Sequence, residues 1–304
     1  DAEATPFSLP EMPVSVEIGR FAIAEVILGE AILGLPAELA VEGAAQLQGG
    51  EGAVDLTLDR LDGPRGQFTL DASYANASRD LALDLRLDED AGGLAVELLH
   101  IPDRPALSLS VTGEGPIDEF AAEISLASDG VARIEGLVQT TLDADGNRVT
   151  RAETRGDIRP LMLDEYRAFF GDQVELITQV RQPAAGGIIL DDLSLRSAAL
   201  NLAGALVLDA QGLPEAVNLR AEILPPDGAA RVRLPIPGEA TIAAAALAVT
   251  YDRAEDDGYA LIADLTELTA EGLRVPQADL SLAGVIAING AGIEATTGDF
   301  AALL

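Results

Sequence analysis

The sequence predicts an all-β fold, an elongated antiparallel meander with two short inserted helices. The first observation is an alternation of apolar and polar residues that recurs along most of the 304 residues. Because successive side chains of a strand point to opposite faces, each such segment has one apolar and one polar face. Turn residues separate these segments roughly every 10 to 15 positions, and no βαβ spacing occurs. We expect about fifteen strands in a single domain over residues 1–304.

The clearest part of the pattern covers residues 52–90. Leucine and other apolar residues occupy every second position of three consecutive segments, with Asp, Thr, Ser and Arg between them. Gly63-Pro64 and a polar turn around Asn76 join the segments, so the three are predicted to form an antiparallel meander. Before it, residues 1–13 predict an irregular lead-in, and Val14–Ile23 and Ala31–Leu47 predict strands.

Two segments depart from this period and predict short helices. The first covers residues 94–101 and is ended by Pro102. The second covers residues 160–170, with Pro160 in its first turn and Gly171 just past its end. We expect the second helix to plug or gate one side of the apolar face. Strand patterns resume after it and continue to Ile288.

Composition excludes several classes of partner. The chain carries 51 acidic residues against 19 basic ones, all of them arginine, for a net charge of -32. Such a charge repels phosphate backbones and anionic membrane surfaces, so no nucleic-acid partner is expected. There is no cysteine. No apolar run reaches the roughly 18 residues needed to span a bilayer, so any membrane anchor is expected outside this chain, in a longer protein.

The sequence offers no convincing catalytic group. His100 is the only histidine, and it follows a short apolar helix without a nucleophile motif around it. Zinc is disfavoured by the absence of Cys and of a second His, and a phosphate-binding loop by the absence of Lys. We therefore expect no enzymatic activity and no cofactor.

A calcium loop is the one metal site that the sequence suggests. Residues 143–147 place Asp, Asp, Gly and Asn as such a loop begins. The distal Glu is out of register, with Glu153 the nearest candidate. Asp-Gly-Asn is also an ordinary hairpin turn, and both interpretations stay open at this point.

Five stretches, taken together and in order, resemble a known family. They are residues 28–50, 58–74, 80–94, 101–120 and 157–171. The resemblance extends from about Val14 to Ala291 and is to the TamB (translocation and assembly module) family of AsmA-like, bridge-like lipid transfer proteins. It implies a sheet curled into an open hydrophobic trough, often called a β-taco.

The same resemblance implies a function. Family members are expected to carry phospholipid across the periplasm in support of outer-membrane assembly, from an inner-membrane anchor. An outer-membrane barrel partner, TamA-like, is implied through parts of the protein that lie outside this chain. The anchoring helix is likewise expected outside it.

The residues alone support an apolar groove. A meander with one aliphatic face must close on itself, gain a second layer or hold an apolar ligand. We predict that the groove is lined by Val54, Leu56, Leu58, Phe68, Leu70, Leu81, Leu83, Leu85, Leu107, Leu109, Val111, Ile124, Leu126, Leu200, Leu202, Leu206, Leu208, Val217 and Leu219. The alternative is that these residues form the dry core of a closed β-sandwich or solenoid, a scaffold that calcium could stabilise.

Overall fold

The computed structural model describes residues 8–10, 15–30, 35–183, 186–255, 257–289 and 292–303, without the side chains of 287–297. Most of the predicted lead-in, Val14 and residues 31–34 lie outside the described residues. The chain divides into two compact units. We call them the N-terminal unit (Thr5–Leu142 with Pro160–Leu163) and the C-terminal unit (mainly Asp143–Arg159 with Asp164–Leu304). That residues 1–304 form a single domain stays a prediction.

The N-terminal unit contains eight strands, each paired antiparallel with the next one in the chain. They are β1 (Val16–Leu28), β2 (Ala37–Gln48), β3 (Glu51–Arg60), β4 (Gly66–Ala75), β5 (Asp80–Glu89), β6 (Leu107–Pro116), β7 (Ala121–Ser128) and β8 (Val131–Leu142). Short Gly-containing or polar turns make most of these connections, and residues 90–106 make the long one. The unit is therefore the meander that its alternation predicts.

The C-terminal unit repeats this plan with eleven strands. They are β9 (Arg148–Gly156), β10 (Val174–Gln182), β11 (Ile188–Arg196), β12 (Leu200–Leu208), β13 (Pro214–Ile223), β14 (Val232–Arg233), β15 (Thr241–Ile242), β16 (Ala244–Asp252), β17 (Gly258–Ala270), β18 (Leu273–Asn289) and β19 (Gly292–Leu303). β13 pairs with β16, and the short strands β14 and β15 form a hairpin whose second strand also pairs with β17. All pairings are antiparallel.

One bulge corrects a break in the sequence pattern. In β11, Leu190 and Leu193 are three positions apart, so in a regular strand they would face opposite sides. The register shifts between these residues, opposite both β10 and β12. Asp191 and Asp192 occupy the bulge, and the extra residue returns both leucines to one face.

The helices are shorter than the sequence predicts. The first, α1, covers Leu94–Leu98. The expectation of one continuous helix over residues 160–170 is wrong: the segment forms 3-10 turns at Arg159–Leu161 and Asp164–Tyr166, then the short helix α2 (Arg167–Phe170). The Arg167 guanidinium donates to the carbonyl oxygen of Arg159 at 3.0 Å. That carbonyl is thus satisfied by a side chain, which a continuous helix does not need.

In the part of the chain that the structure describes, each unit has one buried apolar cluster, and a short helix contributes to it. In the N-terminal unit, Val96 of α1 packs with Leu107 and Leu161. In the C-terminal unit, Phe169 of α2 packs with Val232, Ile242 and neighbours. Among the described residues, β1 pairs only with β2 and β19 only with β18, so the sheet is open. The predicted fold class, an all-β open antiparallel meander with two short helices, is confirmed.

Candidate functional site

The predicted lining residues of the N-terminal unit all lie on one face of its sheet. Residues directly opposite one another on paired strands share a face, so the register identifies the neighbours. Three rows cross all eight strands and contain only apolar residues and glycine. They are Ile18, Ala45, Val54, Ala72, Leu83, Gly113, Ala122, Val138; Phe21, Gly43, Leu56, Leu70, Leu85, Val111, Ile124, Gly136; and Ile23, Val41, Leu58, Phe68, Leu87, Leu109, Leu126, Ile134.

These rows define what we call the N-terminal apolar face. Eleven of the thirteen residues predicted for this unit are in the three rows, and Leu81 and Leu107 lie in the rows on either side. With strands about 4.8 Å apart, eight strands extend each row over roughly 34 Å. The face is therefore a broad aliphatic surface with no polar side chain in its three central rows.

The C-terminal unit has an equivalent surface, the C-terminal apolar face, which carries the other six predicted residues. Leu206 and Val217 share one row, Leu219 lies in the next, and Leu202 and Leu200 follow towards one end. Leu208 lies beyond Leu206 on the same strand, opposite Ile188. Thr178 and the pair Tyr251–Tyr259 place polar atoms on this face, so it is less uniformly aliphatic.

Burial distinguishes these surfaces from an ordinary core. Of the nineteen predicted lining residues, only Leu107 is buried and every other one is half-buried. Fully buried side chains of a core lose nearly all contact with solvent, whereas these retain part of it. The two faces thus expose aliphatic area on which an apolar ligand can pack.

Large side chains fill the gaps that glycines leave in the faces. A Cβ atom on Gly43 would lie 2.7 Å from the ring of Phe21, and one on Gly113 would lie 2.6 Å from the ring of Phe120. Gly204 has the same relation to Leu219, at 2.5 Å. These side chains cover backbone that the glycines would otherwise leave bare, and the apolar surface stays continuous.

One end of the N-terminal apolar face is covered over part of its width. The row beside Leu109, which we call the end row, contains the buried residues Gly66, Glu89, Leu107 and Ser128 and ends at the exposed Val131. Helix α1 lies over this row through Val96, which is 1% exposed. The face is therefore open along its central rows and covered at the strand ends from β4 to β7.

Glu89 attaches α1 to the sheet. It occupies the position after Leu81, Leu83, Leu85 and Leu87 in the apolar period of β5. Its carboxylate accepts hydrogen bonds from the backbone N–H of Leu94 at 3.0 Å and of Ala95 at 2.8 Å. A Cβ on Gly93 would lie 2.5 Å from Glu89 Oε2, so glycine is needed at that position. An acid thus replaces leucine where the helix begins.

Ser197 has the corresponding role in the C-terminal unit. It follows Leu193 and Leu195 in the apolar period of β11, and its hydroxyl donates to the carbonyl oxygen of Phe169 at 2.9 Å. The backbone N–H groups of Ala198 and Ala199 donate to Phe170 and Phe169, each at 3.0 Å. Both units therefore use a polar residue within an apolar period to hold a short helix over the end of the face.

The opposite face of the N-terminal sheet is polar and acidic. Asp55, Asp71 and Asp84 lie side by side on β3, β4 and β5. Directly opposed like charges are unfavourable. The Arg86 guanidinium hydrogen-bonds both carboxylate oxygens of Asp84 at 2.8 Å and lowers the pKa of that carboxyl. This face is hydrophilic and suited to contact with water, in contrast to the aliphatic face on the other side of the sheet.

The candidate calcium loop is a hydrogen-bonded hairpin turn. Asp143 Oδ1 accepts from the N–H of Asp145 and of Asn147, and Oδ2 accepts from the Asn147 side-chain amide. The Asn147 amide is the main cause of the lowered pKa of Asp143. Among the residues described, no three His, Cys, Asp or Glu side chains are grouped to hold a metal ion.

We expect a chelator to leave the thermal stability of the chain unchanged. Both oxygens of Asp143 accept hydrogen bonds within the turn, and among the described residues no group of three acidic side chains is available to complete a calcium shell. Thermal unfolding with EDTA and with added Ca²⁺ should give the same midpoint. A rise with calcium that Asp143→Ala removes would contradict this.

Acid should lower the stability instead. The pKa of the Asp143 carboxyl is below its ordinary 3.8, so the contribution of the carboxylate to stability is present above that value and is lost as pH falls through the lowered pKa.

The position of His100 gives this residue a structural explanation that needs no catalytic role. It is exposed, follows the end of α1 and has a positive φ of 53°. Its Nδ1 lies 3.1 Å from the carbonyl oxygen of Leu98. The left-handed backbone of His100 therefore ends the helix, as a residue in this conformation just past a C-cap commonly does.

Several residues of the faces were not among those predicted. Leu87, Val41 and Phe21 complete the N-terminal rows, and their own alternation was a usable signal. Leu190 and Leu193 were hidden by the bulge at Asp191-Asp192. Glu89 and Ser197 had the clearest signal, since each interrupts a run of leucines at every second position.

Comparison with known proteins adds no relatives. No protein-family model, no curated protein and no solved structure matches the chain. Within the part of the chain that is described, no helix has the length and apolar character to cross a membrane.

Proposed function

We propose that this chain is a segment of a hydrophobic groove that shields the acyl chains of phospholipids and conducts them between two membranes. The observation that carries the proposal is the set of three uninterrupted apolar rows on the N-terminal apolar face, whose predicted lining residues are only half-buried. No covalent step is involved, and no residue acts as a catalyst.

Burial of the lipid tail would supply the binding energy. Moving apolar area out of water is worth about 25 cal/mol per Å², so even part of a tail gives several kcal/mol. The acidic polar face stays in water and keeps the groove soluble.

The uniform lining favours movement over tight capture. A tail that shifts along a row by one strand exchanges one leucine or valine contact for another, and the hydrophobic effect has no directional preference. The free energy therefore changes little from one position to the next. Few aromatic rings or polar groups are present to fix a single pose, in contrast to a site built for one ligand.

The cellular setting is part of the same proposal. The groove would lie in the periplasm, within a longer protein anchored to the inner membrane by a helix outside this chain. Phospholipid would be its cargo, and an outer-membrane barrel would be contacted by other parts of that protein. The resemblance to TamB-like sequences supports this setting.

Mass spectrometry of lipid extracted from the purified chain tests the proposal. We expect phospholipid to co-purify with the chain expressed in bacterial cells, and to be absent from an unrelated acidic β-protein purified in parallel. A folded chain that carries no phospholipid, and takes up none from phosphatidylcholine vesicles, would overturn it. That result would favour a dry-core scaffold instead.

A further inference from the structure

We propose that residues 8–10, which we call the strap, cover the end of the N-terminal apolar face opposite to α1 and must leave it before an acyl chain can lie there. The inference rests on the proposed function and adds a regulation to it. Leu9 supplies the side chain that occupies the face in place of a lipid tail. The strap and the lipid therefore exclude each other from this end of the groove.

The first step is that the strap lies on the same face as the predicted lining residues. A row that we call the far row crosses β2 to β5 at this end and contains Leu47, Gly52, Tyr74 and Leu81. Each member is two residues from the nearest central row along its strand, so it shares that face. A Cβ atom on Gly52 would lie 2.7 Å from Leu9 Cδ1. Leu9 thus occupies space that a tail on the far row needs.

The second step is that the sheet has a seat built for one extended residue. The Leu9 N–H donates to Asn76 Oδ1, and Asn76 Nδ2 donates to the Leu9 carbonyl oxygen, each at 2.8 Å. Paired residues of an antiparallel sheet exchange the same two bonds. Pro10 restricts Leu9 to the extended backbone that this exchange needs. A Cβ on Gly50 would lie 2.6 Å from Asn76 Nδ2, so glycine leaves room for the amide.

The third step is that the strap is held less firmly than α1. Leu9 is half-buried and both Ser8 and Pro10 are exposed, whereas Val96 of α1 is 1% exposed. One neutral hydrogen bond typically shifts an equilibrium by only roughly two- to tenfold. A ligand that needs a minor state binds more weakly, in proportion to the fraction of molecules in that state. The closed strap therefore weakens lipid binding, and its release strengthens it.

The test uses two changes with opposite expected effects. Asn76→Ala removes both bonds to the strap, while the backbone N–H at this position keeps its bond to the Gly50 carbonyl at 2.9 Å. Leu9→Cys combined with Gly52→Cys introduces two thiols into a chain that has no cysteine, and their disulfide locks the strap onto the far row. Ser78→Ala is the control for Asn76→Ala, because Ser78 lies in the same turn and its hydroxyl accepts from the Asp80 N–H at 3.4 Å.

All variants are made in the full 304-residue chain with Leu206→Arg, so that bound lipid reports on the N-terminal apolar face. Each is titrated with phosphatidylcholine vesicles, and lipid bound per chain is measured by mass spectrometry. We expect Asn76→Ala to bind roughly fivefold more tightly than its parent, as the loss of a neutral hydrogen bond predicts. The oxidised double-cysteine chain should bind at least about fivefold more weakly, and reduction should restore binding. Ser78→Ala should match the parent.

Equal lipid affinity in the parent, Asn76→Ala and the oxidised chain would overturn the inference and leave the proposed function intact. Tighter binding by the oxidised chain would also overturn it, because the strap would then be a wall of the groove. So would failure of the disulfide to form in the lipid-free chain. If Asn76→Ala does not fold, the oxidised and reduced forms of the double-cysteine chain decide alone. Absence of lipid from both the parent and the reduced chain would overturn the proposed function, and this inference with it.

Discussion

Arginine at Leu83 together with arginine at Leu206 is expected to lower the phospholipid bound per chain by more than tenfold. Leu83 lies in an N-terminal row between Ala72 and Gly113, and Leu206 lies in a C-terminal row between Leu190 and Val217. A guanidinium placed among acyl chains without a partner costs at least about 2 kcal/mol. A loss of 1.4 kcal/mol is already a factor of about ten in affinity. Co-purified lipid, measured by mass spectrometry, gives the readout.

The matched control places the same arginines one residue earlier, at Ala82 and Ala205. These positions lie on the opposite face of the same two strands, so the added charge meets water and not lipid. Ala82→Arg and Ala205→Arg should bind lipid as the parent does. The single variants Leu83→Arg and Leu206→Arg should each lose part of it. Equal lipid in the Leu and Ala variants, with circular dichroism unchanged, would remove both leucines from the groove.

Replacement of Glu89 by leucine is expected to release α1 and destabilise the N-terminal unit by about 1–3 kcal/mol. The substitution restores the apolar period of β5, yet it leaves the N–H groups of Leu94 and Ala95 without their acceptor. Hydrogen–deuterium exchange should show lost protection across Leu94–Leu98, and the urea midpoint of this unit should fall.

Glu97 provides the comparison for that result. It lies on the same helix and pairs with Arg104 at 2.8 Å, but the two side chains are 32% and 64% exposed. Exposed ion pairs of this kind contribute less than about 1 kcal/mol. Glu97→Gln should therefore leave exchange across α1 almost unchanged. If Glu89→Leu proves no more harmful than Glu97→Gln, the carboxylate does not hold the helix.

The sheet could be predicted from the sequence because alternation and turn spacing are local signals. Period-two patterning specifies which side chains share a face, and short turns specify which strands pair. Leu56, Leu70, Leu85, Val111 and Ile124 were therefore identified correctly as a group on one face. Their exact alignment in one row depends on the register of four strand pairs, which the turns alone did not define.

What the sequence did not predict depends on contacts between distant residues or on irregular backbone. Where one continuous helix is expected over residues 160–170, the Arg167 side chain instead satisfies the carbonyl of Arg159, a contact that the local pattern does not contain. The bulge in β11 conceals two leucines of the C-terminal apolar face, since it breaks the period on which the assignment relied. In both cases a side chain or an extra residue overrides the local pattern.

Among the described residues, each strand of the N-terminal unit pairs only with its neighbours in the chain, and this makes the sheet modular. Removing or duplicating one hairpin would change the number of strands that a row crosses by two, while the number of residues along each strand would stay the same. The number of hairpins thus sets how far the surface extends across the strands, and the number of residues in each strand sets how far it extends along them. Such a sheet can lengthen or shorten during evolution by whole hairpins without a new core.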